Sequence, residues 1–154
     1  MRLSIRKYFL IFIILGTLFS QKLLIPMDNS QIDHLKAYGV AFWSLKSGEN
    51  VDWLLNYRGG SFMMNYDSTL ELELKIRGVY YETINTTMLT DIFALIEENN
   101  MDIVLLEKLP KIAVYSPPDK QPWDDAVTLA LTYAEIDYEV IFDDEVLTDE
   151  LIDY

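Results

Sequence analysis

The chain has 154 residues, no cysteine, and 25 acidic against 12 basic residues, for a formal charge of −13. A surface of that sign repels nucleic acid and anionic lipid, so neither is expected as a partner. Without cysteine there is no disulfide framework, no thiol nucleophile and no thiolate metal site.

The first twenty residues read as a separate object. Arg2, Arg6 and Lys7 form a basic start, and residues 8–18 (YFLIFIILGTL) are an apolar run of the length found in a secretory signal peptide. A bilayer span takes roughly 20 apolar residues, so the run is short for one. Cleavage is expected after Ser20, leaving Gln21 or Lys22 as the new N-terminus; the alternative is an uncleaved anchor, the only contact with a membrane that the sequence offers. No cysteine follows the run, which excludes a lipidated anchor. The expected location is the periplasm or beyond. Removing residues 1–20 takes away three positive charges and no negative ones, which moves the charge from −13 to −16.

The mature chain alternates strand and helix signals. Residues 22–26 form a short apolar strand candidate. Asp28, Asn29 and Ser30 supply capping chemistry for a helix over 31–46, where Ile32, Leu35, Phe42 and Leu45 recur at near-helical spacing. Residues 51–57 predict a strand, Arg58-Gly59-Gly60 a turn, and 61–65 a second strand. Asp67 and Ser68 cap a helix over 68–77 that Gly78 ends. A strand over 79–84, a helix over 87–99 capped by Asn85, and a strand over 101–106 follow. Pro110 closes this front section, residues 21–110. Residues 111–154 then read as a β-α-β unit: a strand at 112–115, a Pro-rich loop, a helix at 122–136, a strand at 138–142 and an acidic tail. Its strands are expected to be parallel, with Ile112, Val114, Val140 and Ile141 in the sheet, and Val127, Leu131 and Ala134 facing it, Ala130 beside them. The predicted class is α/β: an incomplete doubly wound sheet, to be continued by further elements, preceded by an α/β N-terminal section.

Candidate chemistry is sparse. His34 is the only histidine and has no company of the kind a metal or acid/base site needs, so it reads as a solvent-facing helix residue. Arg58, Gly59 and Gly60 are the best loop candidate for a ligand. Two glycines let backbone N–H groups approach an anion, and an arginine adds a fork of donors; a plain hairpin turn is the competing reading. Residues 116–125 lie where a doubly wound fold puts a ligand-facing loop, and Trp123 and Asp124 are the candidates there. Trp123 could stack on a ligand or pack the loop onto its surroundings. The segment lacks G-x-G-x-x-G, so no dinucleotide is expected; no cofactor and no metal is implied. The acidic run from Asp143 lacks calcium-loop spacing and reads as a solvated helix start. Asn85-Thr86-Thr87 matches a glycosylation sequon and serves equally as a helix cap.

Two long phrases, LIPMDNSQIDHLKAYGVAFWSLKSGENVDWLLNYRGGSF from Leu24 and KIAVYSPPDKQPWDDAVTLALTYAEIDYEVIFDDEVL from Lys111, resemble a family of exported bacterial proteins labelled asparagine synthetase B. The likeness covers nearly all of the mature chain. It implies that residues 111–154 begin a domain similar to the class I glutamine-amidotransferase, flavodoxin-like fold, and that the family's chain continues beyond residue 154. The residues depart from the reaction that label names. A glutamine-dependent asparagine synthetase exposes an N-terminal cysteine and binds ATP with a Ser-Gly-Gly-x-Asp-Ser loop; this chain has no cysteine, and Arg58-Gly59-Gly60-Ser61 is a different pattern. A class I amidotransferase carries a Cys-His-Glu triad on later strands. Two functions are therefore expected: a non-catalytic, exported binding protein for a small molecule or an envelope partner, or the N-terminal part of an amide-transfer or amide-hydrolysis enzyme whose catalytic residues lie further on.

Overall fold

Five short strands, each only three to five residues, assemble into one sheet whose neighbours all run antiparallel. The computed structural model describes residues 21–117, 119, 125–148 and 150–154. The expected signal peptide lies outside these residues. The strands are β1 (Lys22–Ile25), β2 (Val51–Leu54), β3 (Ser61–Asn65), β4 (Glu82–Ile84) and β5 (Ile103–Leu106), in the order β4-β1-β3-β2-β5. The helices between them are α1 (His34–Lys46), α2 (Ser68–Arg77) and α3 (Thr86–Glu98).

The alternation of side chains along each strand decides which helix covers which face. Leu23, Ile25, Val51, Phe62 and Met64 point to one side, where they pack with Ala37, Val40 and Ala41 of α1 and Leu70 and Leu74 of α2. Leu24, Leu54 and Met63 point to the other side, against Ile92 and Ile96 of α3. The sheet is thus clad on both faces, which explains why β1, β3 and β2 carry apolar residues on both sides of the pleat. Helix ends follow local chemistry. Asp33, Asp67 and Asn85 accept from the backbone N–H of Lys36, of Thr69 and Leu70, and of Met88. Gly78 ends α2 with a φ of 68°, in the left-handed region where glycine costs least.

The remaining chain forms β6 (Ala113–Tyr115), α4 (Ala126–Ala134), β7 (Glu139–Ile141) and α5 (Asp143–Leu147). β6 and β7 pair in parallel, Val114 opposite Val140, as expected. They are a separate two-stranded sheet, so the molecule is α/β with a mostly antiparallel sheet. The main sheet departs from the doubly wound pattern because β2 and β3 are joined by a turn of only a few residues, and a short connection can link only antiparallel neighbours. Side-chain expectations for this unit also change. Val114, Val140 and Ile141 lie in the sheet as expected, although Val140 is exposed, and Ala134 is buried with Thr128; Val127 is exposed instead of covered, and Ile112 lies just before the strand. The reason is that α4 docks on α1. Gly39 of α1 lies so close to the carbonyl of Ala134 that a Cβ there would stand 1.8 Å from the oxygen. The seam is edged by Lys36 with Glu135 Oε1 at 2.6 Å, by Lys46 with Asp137, and by the Tyr133 hydroxyl donating to Asp33. Arg77 of α2 reaches the same edge, its Nη1 3.1 Å from Glu135 Oε2 but outside hydrogen-bond geometry. No helix among the described residues is long and apolar enough to cross a membrane.

Candidate functional site

The turn holding Arg58, Gly59 and Gly60 sits at the end of the sheet where β1 exits. Asn56 and Arg58 both adopt positive φ, 63° and 46°, so strand β2 stops at Leu54 and does not run to Tyr57. This chain path brings the turn against the β1 exit loop: Met27 N–H donates to Arg58 O at 3.0 Å. Gly59 is required there, since a Cβ would lie 2.4 Å from Met27 O. Gly60 O accepts from the Trp53 indole N–H at 3.2 Å.

The guanidinium of Arg58 is spent within the chain. Its Nε donates to Asp28 Oδ2 and its Nη1 to Glu82 Oε1, both at 2.7 Å, and its Nη2 to Ser30 Oγ at 3.0 Å. The fork joins the β1 exit loop, the β2–β3 turn and the edge strand β4. Its hydrogen bonds, with those from Ser30, hold the Asp28 carboxyl well below the usual carboxylate range. The same two carboxylates raise Arg58 further. Burial raises the neighbouring Tyr57 hydroxyl. An anion entering this loop meets Asp28 and Glu82, so the geometry is that of a brace between three segments.

Gln31, which no spacing rule singles out, does similar work beside it. Its buried amide donates to Pro26 O at 3.3 Å and Tyr80 O at 3.1 Å, and accepts from Tyr80 N–H at 3.1 Å. It thus replaces a strand neighbour for Tyr80. His34 is exposed, with Nε2 3.1 Å from Met27 O.

The loop of the second candidate, 116–125, starts at the carboxyl end of β6, beside that of β7. Trp123 and Asp124 fall outside the described residues, so the structure positions only the ends of their loop. At its start, Ser116 is buried and donates its backbone N–H to Ile141 O at 2.9 Å. At its end, Asp125 caps α4 by accepting from Val127 N–H at 2.8 Å. Beside them the Tyr115 hydroxyl donates to Asp143 Oδ1 at 2.6 Å, and its ring lies 5.4 Å from that of Phe142. The bond to Asp143 raises the Tyr115 hydroxyl above its ordinary value. This rim presents Tyr115, Asp125 and Asp143, an acceptor-rich set suited to a ligand that brings N–H donors.

The two candidates stay separate in the fold: the Arg58 brace closes one end of the large sheet, and the Tyr115 rim belongs to the small one. Two cavities among the described residues lie elsewhere. One of about 260 Å³ opens between Phe42, Leu109, Pro110, Ile112, Tyr138 and Tyr154, at the amino ends of β6 and β7. Another of similar size lies between Trp43, Ser44, Met64, Asp67 and Leu70. Among the described residues no cluster of three or more His, Asp or Glu could hold a metal ion. Comparison with protein-family models, with curated proteins and with solved structures finds no match.

Proposed function

We propose that the chain is the recognition part of an exported, amidotransferase-like protein, binding a small molecule or an envelope partner and performing no covalent chemistry by itself. The observation that carries the reading is the parallel pairing of β6 with β7. Parallel strands send their following segments out of the same end of a sheet, so Ser116, where loop 116–125 begins, and the start of α5 share one rim, the usual ligand side of such units. That rim is rich in acceptors, and Trp123 of the same loop in sequence is the candidate to add an indole. The likeness of both long phrases to exported proteins of amidotransferase-like fold suggests an amide or amino-acid ligand, and the doubly wound arrangement belongs to this proposal.

The test is thermal denaturation of the full chain with L-glutamine and with L-asparagine, alongside an ammonia-release assay. The expected result is a rise in Tm with one of them, lost in Trp123→Ala while the unliganded Tm stays unchanged, and no ammonia. Turnover of either amide by the chain overturns the non-catalytic reading; an identical shift in Trp123→Ala removes loop 116–125 from the site. A second reading has support in the small sheet's incomplete cover, since Tyr115 on one face and Val140 on the other both lie open. In it, elements packed on those faces supply the catalytic groups of an amide-transfer or amide-hydrolysis enzyme.

A further inference from the structure

We propose that β5 is a self-association edge through which two copies of this chain join their five-stranded sheets in one defined antiparallel register. The two edges of the sheet are built differently. β4 is three residues long, its Glu82 is held by Arg58, and Asn85 turns it straight into α3. Shortness, charge and an immediate helix are the devices that blunt an edge. β5 is itself only four residues, but it carries no charge and no helix follows it directly. Its sequence is Ile-Val-Leu-Leu, without charge, proline or glycine; Ile103, Val104 and Leu105 are exposed, Leu105 by half; and among the described residues it pairs only with β2.

The hydrogen-bond phase of the ladder restricts how a second copy can pair. Leu55 N–H donates to Asp102 O at 2.8 Å, one register step beyond the pair Leu54–Ile103. In a regular antiparallel ladder bonded pairs alternate, so Asp102, Val104 and Leu106 turn their backbone groups to β2, and Ile103, Leu105 and Glu107 turn theirs outward. The phase is consistent across the sheet, because Tyr66 N–H donating to Gln21 O fixes the same alternation from the other side. Two-fold pairing must therefore set outward residues opposite outward residues. The register that would face Asp102 with the Glu107 of the second copy breaks this rule. The register centred on Leu105 obeys it. It pairs Leu105 with itself and Ile103 with Glu107, and lays Val104 beside Leu106. Carried on to Asp102 just before β5 and to Lys108, where the chain bends just after it, the register also brings Asp102 of each copy to Lys108 of the other, once at each end. Asp102, Glu107 and Lys108 are exposed, and none takes part in an ion pair among the described residues. Opposite charges directly across a strand pair favour a register, and like charges oppose it. Backbone phase permits this register, charge complementarity favours it over the others that phase permits, and the occupant they fit is a second copy of this strand.

Sedimentation equilibrium of the full chain, in about 0.15 M salt so that long-range repulsion between acidic copies is screened, measures the association directly. A monomer–dimer equilibrium is expected. Leu105→Lys should weaken it at least about tenfold with an unchanged melting curve, since Leu105 is half exposed. Asp102→Lys should weaken it by several-fold, about the worth of two cross-strand charge pairs, and the double exchange Asp102→Lys with Lys108→Asp should restore it. A chain monomeric at about 100 μM, which corresponds to less than ~6 kcal/mol of association, overturns the proposal. So does a dimer insensitive to Leu105→Lys, or a double exchange that fails to recover.

Discussion

The large sheet and the small β-α-β unit are made from equally apolar strands, yet they bury them to different depths. In β1 the three residues Leu23, Leu24 and Ile25 are all inaccessible to solvent. In β7 only Ile141 is buried, and the Val140 next to it is 52% exposed. The difference lies in the layers. β1 is an interior strand with β3 and β4 on either side, α1 and α2 over one face and α3 over the other. The small sheet has two strands, and its helix spends part of its surface on α1. A strand gains from its apolar residues only where something covers them, so the same composition stabilises one region and leaves the other dependent on its neighbour.

Matched truncations give the sharpest way to break this comparison. Leu23→Ala removes fully buried methyl groups and leaves a cavity between α1 and the sheet. A loss of ~2–5 kcal/mol is expected in denaturant unfolding. Val140→Ala should stay within ~0.5 kcal/mol, because its side chain is half in water already. Equal losses would show that the small sheet is covered after all.

A second substitution addresses the joint between the regions. A methyl group at Gly39 cannot fit against the Ala134 carbonyl, and backbone is not free to give way as a side-chain tip is. Gly39→Ala should cost ~1–3 kcal/mol. Native-state hydrogen exchange should show the loss in α4 and in the β6–β7 ladder, with β1 and β3 still protected. Protection lost uniformly would mean that the two regions unfold as one.

Much of the first region was legible because its signals are local. The helix over 68–77 was readable from Asp67 and Gly78, and the one over 87–99 from Asn85, to within a residue. The β-α-β order after Pro110 and its parallel pairing followed from spacing and from the rule that such strands need a crossover. What was not legible depends on partners distant in sequence. Ile32 belongs to the apolar pattern of α1 by spacing yet lies 91% exposed before the helix begins at His34. Val127 suits a sheet-facing position, but the helix rolls toward Gly39, and no local pattern encodes where another helix will dock. Arg58 looked like a ligand donor because its glycines permit close approach. They do permit it, and what approaches is Met27 of the same chain. Nothing within a few residues of Arg58 announces Asp28 and Glu82, each more than twenty positions away.

Acid should separate the regions through that brace. Asp28 is depressed in the folded chain, so the unfolded chain binds its proton first as pH falls. Its stabilisation is complete above the ordinary value of 3.8 and is lost progressively below it. Arg58→Met should cost about 1 kcal/mol at neutral pH, a modest figure because the pair is partly open to water. It should also flatten the fall in stability between pH 3.8 and roughly 2. Glu71, Asp67 and Glu135 are depressed as well, so some slope will persist. An unchanged acid limb in Arg58→Met would show that the brace does not hold the sheet end in solution.

The smallest effects belong to the seam charges, and there the two ends of α1 should differ. Lys46 pairs with Asp137 where both side chains are more than half exposed, so solvent and salt screen the attraction and two long side chains must be ordered to make it. Lys46→Ala should change stability by less than ~0.5 kcal/mol. Lys36 is only 18% exposed at its side chain, bonds Glu135, and lies 4.9 Å from the centre of the Tyr133 ring. It also lowers the Glu135 carboxyl. Its methylenes and its charge both meet α4, so Lys36→Ala should cost about 1 kcal/mol and should resemble Gly39→Ala in direction, loosening α4 before the large sheet. Added salt should weaken the Lys46 contribution first, because the Lys36 pair is shielded by the helices on either side. If the two variants prove equal, the helix seam is held by the close approach of Gly39 and Ala134 alone, and the charges around it only mark its rim.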